Sequence, residues 1–276
     1  MKLSVVIPTY KGQALLEDSL PHLCQALDKI STSEIIVVDN GSKDSTVRFL
    51  KHHYPDIRIK QLPTNYGFTK AVNTGIKMAK GEYILILNND CHLGKNTLQV
   101  LINFIQKKKN IVATQPVVKR KDESIENIGY VVDLKKGKAA PVVDTKLIPA
   151  FDNSTMWESG YVYGLSGACL LLRKEVIRKI GIFDEGFHSY LEDVDFFIRI
   201  ARYGYEYAPC TEVSVLHKHM STSATMKGYK EWHDLTNWVR IIRKNYPILF
   251  IFRYLFPLVL ERLRNFNGWL KRISQV

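Results

Sequence analysis

The stretch Tyr83-Ile84-Leu85-Ile86-Leu87 is an unbroken apolar run that stops abruptly at Asn88-Asn89-Asp90. An apolar run of this length, with no alternation, suits a strand covered on both faces, as in a sheet flanked by helices. Sheets of that kind carry their chemistry just past the carboxyl ends of the strands. Asp90 would then sit at the rim of a cleft, where a carboxylate can meet a divalent cation and a phosphate. Asn-Asn-Asp is equally good turn chemistry, so the choice depends on how the neighbouring strands end.

They end in the same way. Leu3-Ser4-Val5-Val6-Ile7 reads as a first strand closed by Pro8-Thr9-Tyr10, and Ile35-Ile36-Val37-Val38 as a second that stops at Asp39-Asn40-Gly41-Ser42. Between them Leu15, Leu16, Leu20, Leu23, Leu27 and Ile30 recur at helical spacing, with Pro21 expected to kink or restart that helix. Asp44 or Ser45 can cap a helix running through about His53. Ile57-Arg58-Ile59 reads as a third strand, and Asn65-Tyr66-Gly67 turns into a helix that runs to Ala79 and ends at Gly81. Strands alternating with helices predict an α/β domain with a mixed, mostly parallel central sheet. Polar clusters after successive parallel strands converge on one sheet edge, where a nucleotide would lie. The chain contains no G-x-G-x-x-G or P-loop sequence, which argues against a dinucleotide fold of that type and against a P-loop NTPase.

From about Lys119 to Glu158 the periodicity fades, and a long excursion with one hairpin (Gly129 to Val143) is expected to cover or shape a cleft. Gly164-Leu165-Ser166-Gly167-Ala168 leads into an apolar strand, Cys169 to Leu172, and a short helix from Arg173. After the turn-rich Phe183–Phe187 comes Glu192-Asp193-Val194-Asp195, opening a helix with Val194, Phe197, Ile198 and Ala201 on its apolar side. Acids in a first helical turn follow from the helix dipole alone, so Glu192 and Asp195 admit both a structural and a functional reading. Val213 to Leu216 looks like a last strand, followed by His217-Lys218-His219.

Charge is the unusual part of the composition. The 276 residues carry a formal +12, while 46% hydrophobic and 24% charged content is ordinary for a globular protein. Residues 226–276 hold ten Lys/Arg against three Asp/Glu, so +7 of the excess lies there and +5 in the first 225. A basic tail points to an anionic surface such as phospholipid or nucleic acid. Cys24, Cys91, Cys169 and Cys210 are far apart with no CxxC pair, and read as reduced, mostly buried thiols. Pro8 and Thr9 stop the N-terminal apolar run, so it does not read as a signal peptide and a cytoplasmic location is expected.

Seven motifs in order resemble the inverting family 2 glycosyltransferases of the GT-A fold, over about residues 3–220. They are Val5–Tyr10, Val37–Ser42, Asn65–Phe68 with Asn73 and Gly75, Asn88–Asp90, Ser166–Ala168, Glu192–Asp195 and His217. The nearest likeness is to bacterial rhamnosyltransferase-like members that build surface polysaccharides. The resemblance implies that Pro8, Thr9, Tyr10, Asp39, Gly67, Asn73, Asn88 and Asn89 bind a dTDP- or UDP-linked sugar. Asp90 stands where the family has the carboxylate of its D-x-D-type motif. Together with His217 it would hold a divalent cation, Mn2+ or Mg2+; Asn at position 88 leaves one strong acid in that motif and strict metal dependence open. Asp193 would be the catalytic base, with Ser166, Gly167 and Glu192 on the acceptor side. A carboxylate at a helix N-terminus is expected to stay ionised at neutral pH, and one in-line displacement would invert the anomeric centre. The acceptor would be a glycan or lipid-linked glycan.

The expected organisation is a glycosyltransferase domain over 1–225, with a nucleotide-sugar half to about 115 and an acceptor half over 116–225. A basic helical tail over 226–276 would follow. In that tail Leu235, Trp238, Val239, Ile242 and Tyr246 suggest an amphipathic helix with Arg240, Arg243 and Lys244 opposite. Beyond Pro247 the apolar run to Leu260 is too short and broken for a confident membrane span. Basic and aromatic residues beside it suit a helix lying on an anionic membrane, peripheral on the inner face; packing on the catalytic domain or on a second subunit, as in a homodimer, stays open. A sugar-nucleotide pyrophosphorylase is disfavoured, since its glycine-rich, Arg- and Lys-containing N-terminal signature is missing. A processive synthase is disfavoured for want of several membrane helices. The alternative from another class is a basic non-catalytic protein binding nucleic acid or membrane. It accounts for the charge but not for Asp90, Asp193 and His217 in order, so no nucleic-acid partner is expected.

Overall fold

The computed structural model describes residues 2–150, 153–218 and 228–274. His219 and the expected boundary at 225/226 lie outside the described residues. The first half alternates as expected: β1 (Leu3–Thr9), α1 (Gln13–Leu27), β2 (Ser33–Asp39), α2 (Thr46–His53), β3 (Arg58–Gln61), α3 (Phe68–Met78) and β4 (Tyr83–Leu87). These four strands are parallel, in the order β3-β2-β1-β4. Every residue of β1 and β4 is buried, which is why their sequences show no polar alternation.

The two faces of the sheet feed two cores. Leu3, Val5, Ile7, Leu85 and Leu87 pack with Leu16, Leu20 and Leu23 of α1; Val6, Ile36, Ile84 and Ile86 pack with Ala71, Val72 and Ile76 of α3. Each such buried side chain contributes roughly 1.5–3 kcal/mol of transfer free energy. α3 lies so close to β1 that a Cβ on Gly75 would collide with Val6 Cγ1. Pro21 does not interrupt α1, contrary to expectation. Pro21 and Glu17, the residue whose carbonyl it leaves unpaired, are both exposed, so water can take the place of the lost helical bond.

Next come β5 (Cys91–Leu93), α4 (Thr97–Lys107), β6 (Ile111–Thr114), β7 (Pro116–Lys119), β8 (Ile125–Asn127), β9 (Tyr130–Asp133) and β10 (Lys138–Pro141). They are followed by α5 (Met156–Ser159), β11 (Tyr161–Gly164), β12 (Cys169–Arg173), α6 (Lys174–Ile180), α7 (Glu192–Arg202), β13 (Glu206–Tyr207) and β14 (Cys210–His217). β12 runs antiparallel between β4 and β6, and β13 joins β6 in parallel, giving a seven-stranded mixed sheet. The expected hairpin is β9-β10, extended by β11 into a three-stranded sheet. A third sheet, β5-β14-β7-β8, is built across the carboxyl edge from strands far apart in sequence.

The C-terminal segment forms α8 (Tyr229–Asn245), α9 (Ile248–Arg253) and α10 (Leu255–Ser274). α8 packs on α7, and α10 on α8. The inward seam of α8 is Asn237, Trp238, Ile241 and Asn245. Val239, expected on that side, is exposed. Trp238 and Ile241 share a core with Tyr130, Val132, Phe187, Val194 and Ile198, so α8 is packed on the protein. Among the described residues no helix is long and apolar enough to cross a membrane, and all four cysteines are free, three of them buried.

Candidate active site

The ends of β1 and β2 meet first. Thr9 pairs with Asp39 and Pro8 with Val38 in the parallel ladder. Asp39 is fully buried; its Oδ2 accepts the Ser42 N–H at 3.1 Å, while its Oδ1 has no hydrogen-bond partner within the protein. A buried carboxylate oxygen without a donor is costly, and a nucleotide hydroxyl or base N–H would satisfy it. Ser42 in turn accepts the Lys11 N–H at 2.7 Å, and the Lys11 ammonium lies over the Tyr10 ring. Gly41 has φ +80° and its missing Cβ would fall 2.5 Å from the Thr64 backbone, so the turn after Asp39 requires glycine. Asn40 braces the facing turn, donating to Asn65 Oδ1 and Gly67 O and accepting the Tyr66 N–H.

The end of β4 reaches both neighbours. Asn89 donates to Thr9 Oγ1 at 2.8 Å, and the Asn88 N–H to Ala168 O at 2.9 Å. Asp90 is buried with Oδ1 3.3 Å from His217 Nε2, and Asn88 Nδ2 lies 3.4 Å from the same nitrogen. On the far side of the imidazole, Nδ1 is 3.1 Å from Glu126 Oε2. Burial alone would depress the His217 pKa, but the hydrogen bonds and charges of Asp90 and Glu126 outweigh it and hold it up at about 9.

Donor atoms of Asp90, Cys91 and His217 lie within 4.8 Å of one another. Adjacent ligands of an octahedral cation with bonds of about 2.1 Å stand about 3 Å apart, so the Asp90–His217 spacing fits such a pair. The carboxylate suits Mn2+ or Mg2+, and an imidazole beside it fits the softer Mn2+ better than Mg2+, which takes oxygen ligands. Cys91 suits neither: burial pushes its thiol pKa well up, and it packs in the core with Sγ 3.5 Å from Ala168 O. Glu126 on Nδ1 stands where an outer partner would fix the imidazole if His217 ligates a cation. It was not anticipated. Nothing in the sequence marks it, because only the β14-β7-β8 pairing brings it to His217.

Asp193 opens α7 beside the segment 166–168. Its Oδ2 accepts the Gly167 N–H at 3.2 Å and its Oδ1 the Val194 N–H at 2.8 Å. Burial raises the Asp193 pKa to about 6 against the pull of those backbone donors. Burial, with the Asp193 charge beside it, raises Glu192 further, to about 8. Asp193, the acid expected to stay ionised at the helix terminus, is thus largely ionised at neutral pH, while at Glu192 desolvation exceeds the dipole. Asp195 is a structural anchor, bonded to Arg199, Lys244 and Asn245. Just before α7, Tyr190 and Leu191 are both left-handed, at φ 68° and 64°, a strain on the order of 1–3 kcal/mol for each residue.

A cleft of about 280 Å3 lies over these acids, lined among others by Tyr130, Pro141, Ser166, Tyr190, Glu192 and Asp193. Ser166 is fixed by Gln115 Oε1 on its N–H, a contact with no sequence signal. Gly67 ties the strand ends to the acceptor side, since its carbonyl takes Asn40 Nδ2 and its missing Cβ would collide with His188. Asn73 is tied to the loop before α7: its Nδ2 donates to Phe183 O at 2.7 Å and to Glu185 Oε1 at 3.3 Å.

The model of the family described as glycosyl transferase family 2 matches residues 4–181. The chain belongs to that family. This glycosyltransferase is 27% identical over 262 residues to the N-acetylglucosaminyl-diphospho-decaprenol L-rhamnosyltransferase of Mycobacterium tuberculosis, covering 86% of this chain and 83% of the relative. In fold it is similar to the mannosyltransferase of Pyrobaculum calidifontis in complex with GDP-Man and Mn2+, with TM-score 0.64, 18% identity, and coverage of 99% and 73%. It is also similar to Staphylococcus aureus TarS 1–349 in complex with UDP, with TM-score 0.63, 20% identity, and coverage of 90% and 67%. The fold of this glycosyltransferase is GT-A.

Proposed function

We propose that the glycosyltransferase moves a sugar from a UDP- or dTDP-linked donor to a hydroxyl of a lipid-linked or polysaccharide acceptor, with inversion. The observation that carries this reading is the short span 166–168. Gly167 N–H holds Asp193, and the next residue's carbonyl holds Asn88 at the end of β4. A base for the acceptor hydroxyl and the end of the sheet that would receive the diphosphate are thus fixed to the same three residues. Asp39, Thr9 and Tyr10 would hold the nucleoside, with Gly67 and Asn40 shaping its far side. Asp90 and His217 would hold a divalent cation, which supplies positive charge for the departing diphosphate. Asp193 takes the proton of the acceptor hydroxyl as that oxygen attacks the anomeric carbon. The name of one relative, a transferase of L-rhamnose to N-acetylglucosaminyl-diphospho-decaprenol, supports a lipid-linked acceptor. A thermal-shift panel of UDP-, dTDP- and GDP-sugars with and without Mn2+ tests the reading, because ligand binding raises Tm by mass action. A flat response to every donor overturns it.

The organisation proposed for this reading is a donor half to about residue 115, an acceptor half beyond it, and a C-terminal helical part that also meets an anionic membrane from the cytoplasmic side. α9 and α10 leave an apolar face in solvent: Leu249 is 79% exposed, Phe256 77% and Phe252 69%, with Leu263 and Phe266 further along. Exposed Arg253, Arg264, Lys271 and Arg272 lie on the same helices. That combination suits the headgroup layer of anionic lipid.

A further inference from the structure

We infer that α8 is the element that positions the base of the glycosyltransferase, and that Asn237 is its positioning residue. The inference rests on the reading above, in which Asp193 takes the acceptor's proton. Tyr229, His233, Asn237, Ile241 and Asn245 recur every fourth residue and form one stripe of α8. Tyr229 Oη is 2.8 Å from His188 Nδ1. His233 stacks obliquely against the Tyr229 ring and flanks both His188 and Tyr190. Asn237 Nδ2 donates to Ser189 O and to Tyr190 O, both at 2.8 Å. Ile241 is fully buried in the core that holds Val194 and Ile198, and Asn245 Nδ2 donates to Asp195 Oδ1 at 2.8 Å. A single helical face therefore follows the chain from His188 to Asp195, through the two left-handed residues and across the acids.

The double contact of Asn237 is specific to a carboxamide. One –NH2 group presents two donors, and the two carbonyls it meets belong to consecutive residues. The two carbonyls flank Tyr190, whose left-handed backbone at φ 68° sets their relative direction, and Leu191 at φ 64° continues the turn into α7. Neither residue is glycine, so nothing intrinsic to the loop favours this conformation. The bonds from α8 hold it. Were the loop to relax toward ordinary φ, the first turn of α7 would rotate, and Asp193 would leave Gly167 N–H. Asn237 touches no substrate in this arrangement; it acts through the loop.

The test uses full-length protein and compares Asn237→Ala with Tyr229→Phe, the latter removing one hydroxyl and leaving the packing intact. Donor affinity, measured by titration with the nucleoside diphosphate and Mn2+, should stay within about twofold of wild type for both. The kcat for transfer should fall about tenfold or more for Asn237→Ala, since displacement by an ångström costs up to about 100-fold, and about threefold for Tyr229→Phe. Hydrogen exchange should rise in 186–195 while β1 and β4 stay protected. Wild-type kcat and unchanged exchange in 186–195 in both variants overturn the inference. So does a parallel loss of donor affinity, which would mark a general structural role. If Asn237→Ala does not fold, the Tyr229→Phe values decide alone. Absence of transfer by the wild-type protein would instead count against the underlying reading.

Discussion

The backbone N–H of Gly167 donates to Asp193 Oδ2 at 3.2 Å. A Cβ built on Gly167 would lie 3.9 Å from the Asp193 side chain, an ordinary contact, so it is the backbone N–H of Gly167 and not its lack of a side chain that meets Asp193. The backbone therefore favours ionised Asp193 while burial opposes it, and the outcome is a carboxylate whose pKa lies near the operating pH of a general base.

Removing the proposed base should separate binding from turnover. Asp193→Asn is expected to lower kcat by about 100-fold or more, the scale of a lost general base, with donor affinity close to wild type. In the wild-type protein kcat/KM should rise with pH through about 6, where Asp193 loses its proton. A steady-state pH profile of both proteins checks this; near-normal turnover by the variant sinks the assignment.

Glu192 makes a stability prediction of opposite sense. Unfolded, it ionises near the ordinary 4.5; folded, it keeps its proton up to about 8. The folded state thus binds more protons across that window, and the stability it contributes is lost as pH rises through it. Glu192→Gln has no proton to lose, so its Tm should gain on wild type between pH 5 and pH 8.5. Each 1 kcal/mol corresponds to about 2–4 °C in a chain of this size. Melting curves at both pH values give the answer, and a constant difference would contradict it.

Glu126 should matter only through His217. Glu126→Gln keeps the shape but removes the negative charge that fixes the imidazole, and should weaken Mn2+ binding about 10- to 100-fold. Asp90→Asn should be worse. Metal titration followed by calorimetry measures both, and unaltered affinity in Glu126→Gln would detach it from the cation site.

The exposed face of α9 and α10 can be tested without touching the site. Changing Leu249, Phe252 and Phe256 together to Ser should abolish sedimentation with anionic liposomes and leave Tm and donor binding unchanged. High salt should weaken binding of the wild type by screening the basic residues. If the wild-type protein never sediments with such liposomes and instead elutes as a dimer that the triple variant breaks, the face belongs to a second copy of the chain.

The strand ends were legible because burial keeps Val5–Ile7, Ile36–Val38 and Ile84–Leu87 apolar, so the polar residues that follow announce the edge where chemistry can occur. Asp39, Asn88, Asn89 and Asp90 are visible for that reason alone. Glu126, Gln115 and Asn237 carry no such mark. Each acts across a pairing between distant segments: β8 with β14 through β7, residue 115 with 166, and residue 237 with 189 and 190. A polar side chain on a short strand or a helix face looks solvated until its tertiary neighbour is known. The raised pKa of Glu192 is hidden for the related reason that the helix dipole can be read locally and desolvation cannot.

The stripe along α8 also sets where this chain can be recombined with a relative. Exchange near residue 225 would keep β1 to β14 together with Asp39, Asp90, Glu126, Glu192 and Asp193, yet hand the loop 189–191 to a helix that did not evolve against it. Such a chimera should fold and load its donor, then turn over slowly. A crossover between the donor and acceptor halves near residue 115 keeps Asn237 with its two carbonyls. It would still break the contact between Gln115 and Ser166 unless residue 115 passes across with the acceptor half. On the proposed reading, α8 is inherited with the base it positions.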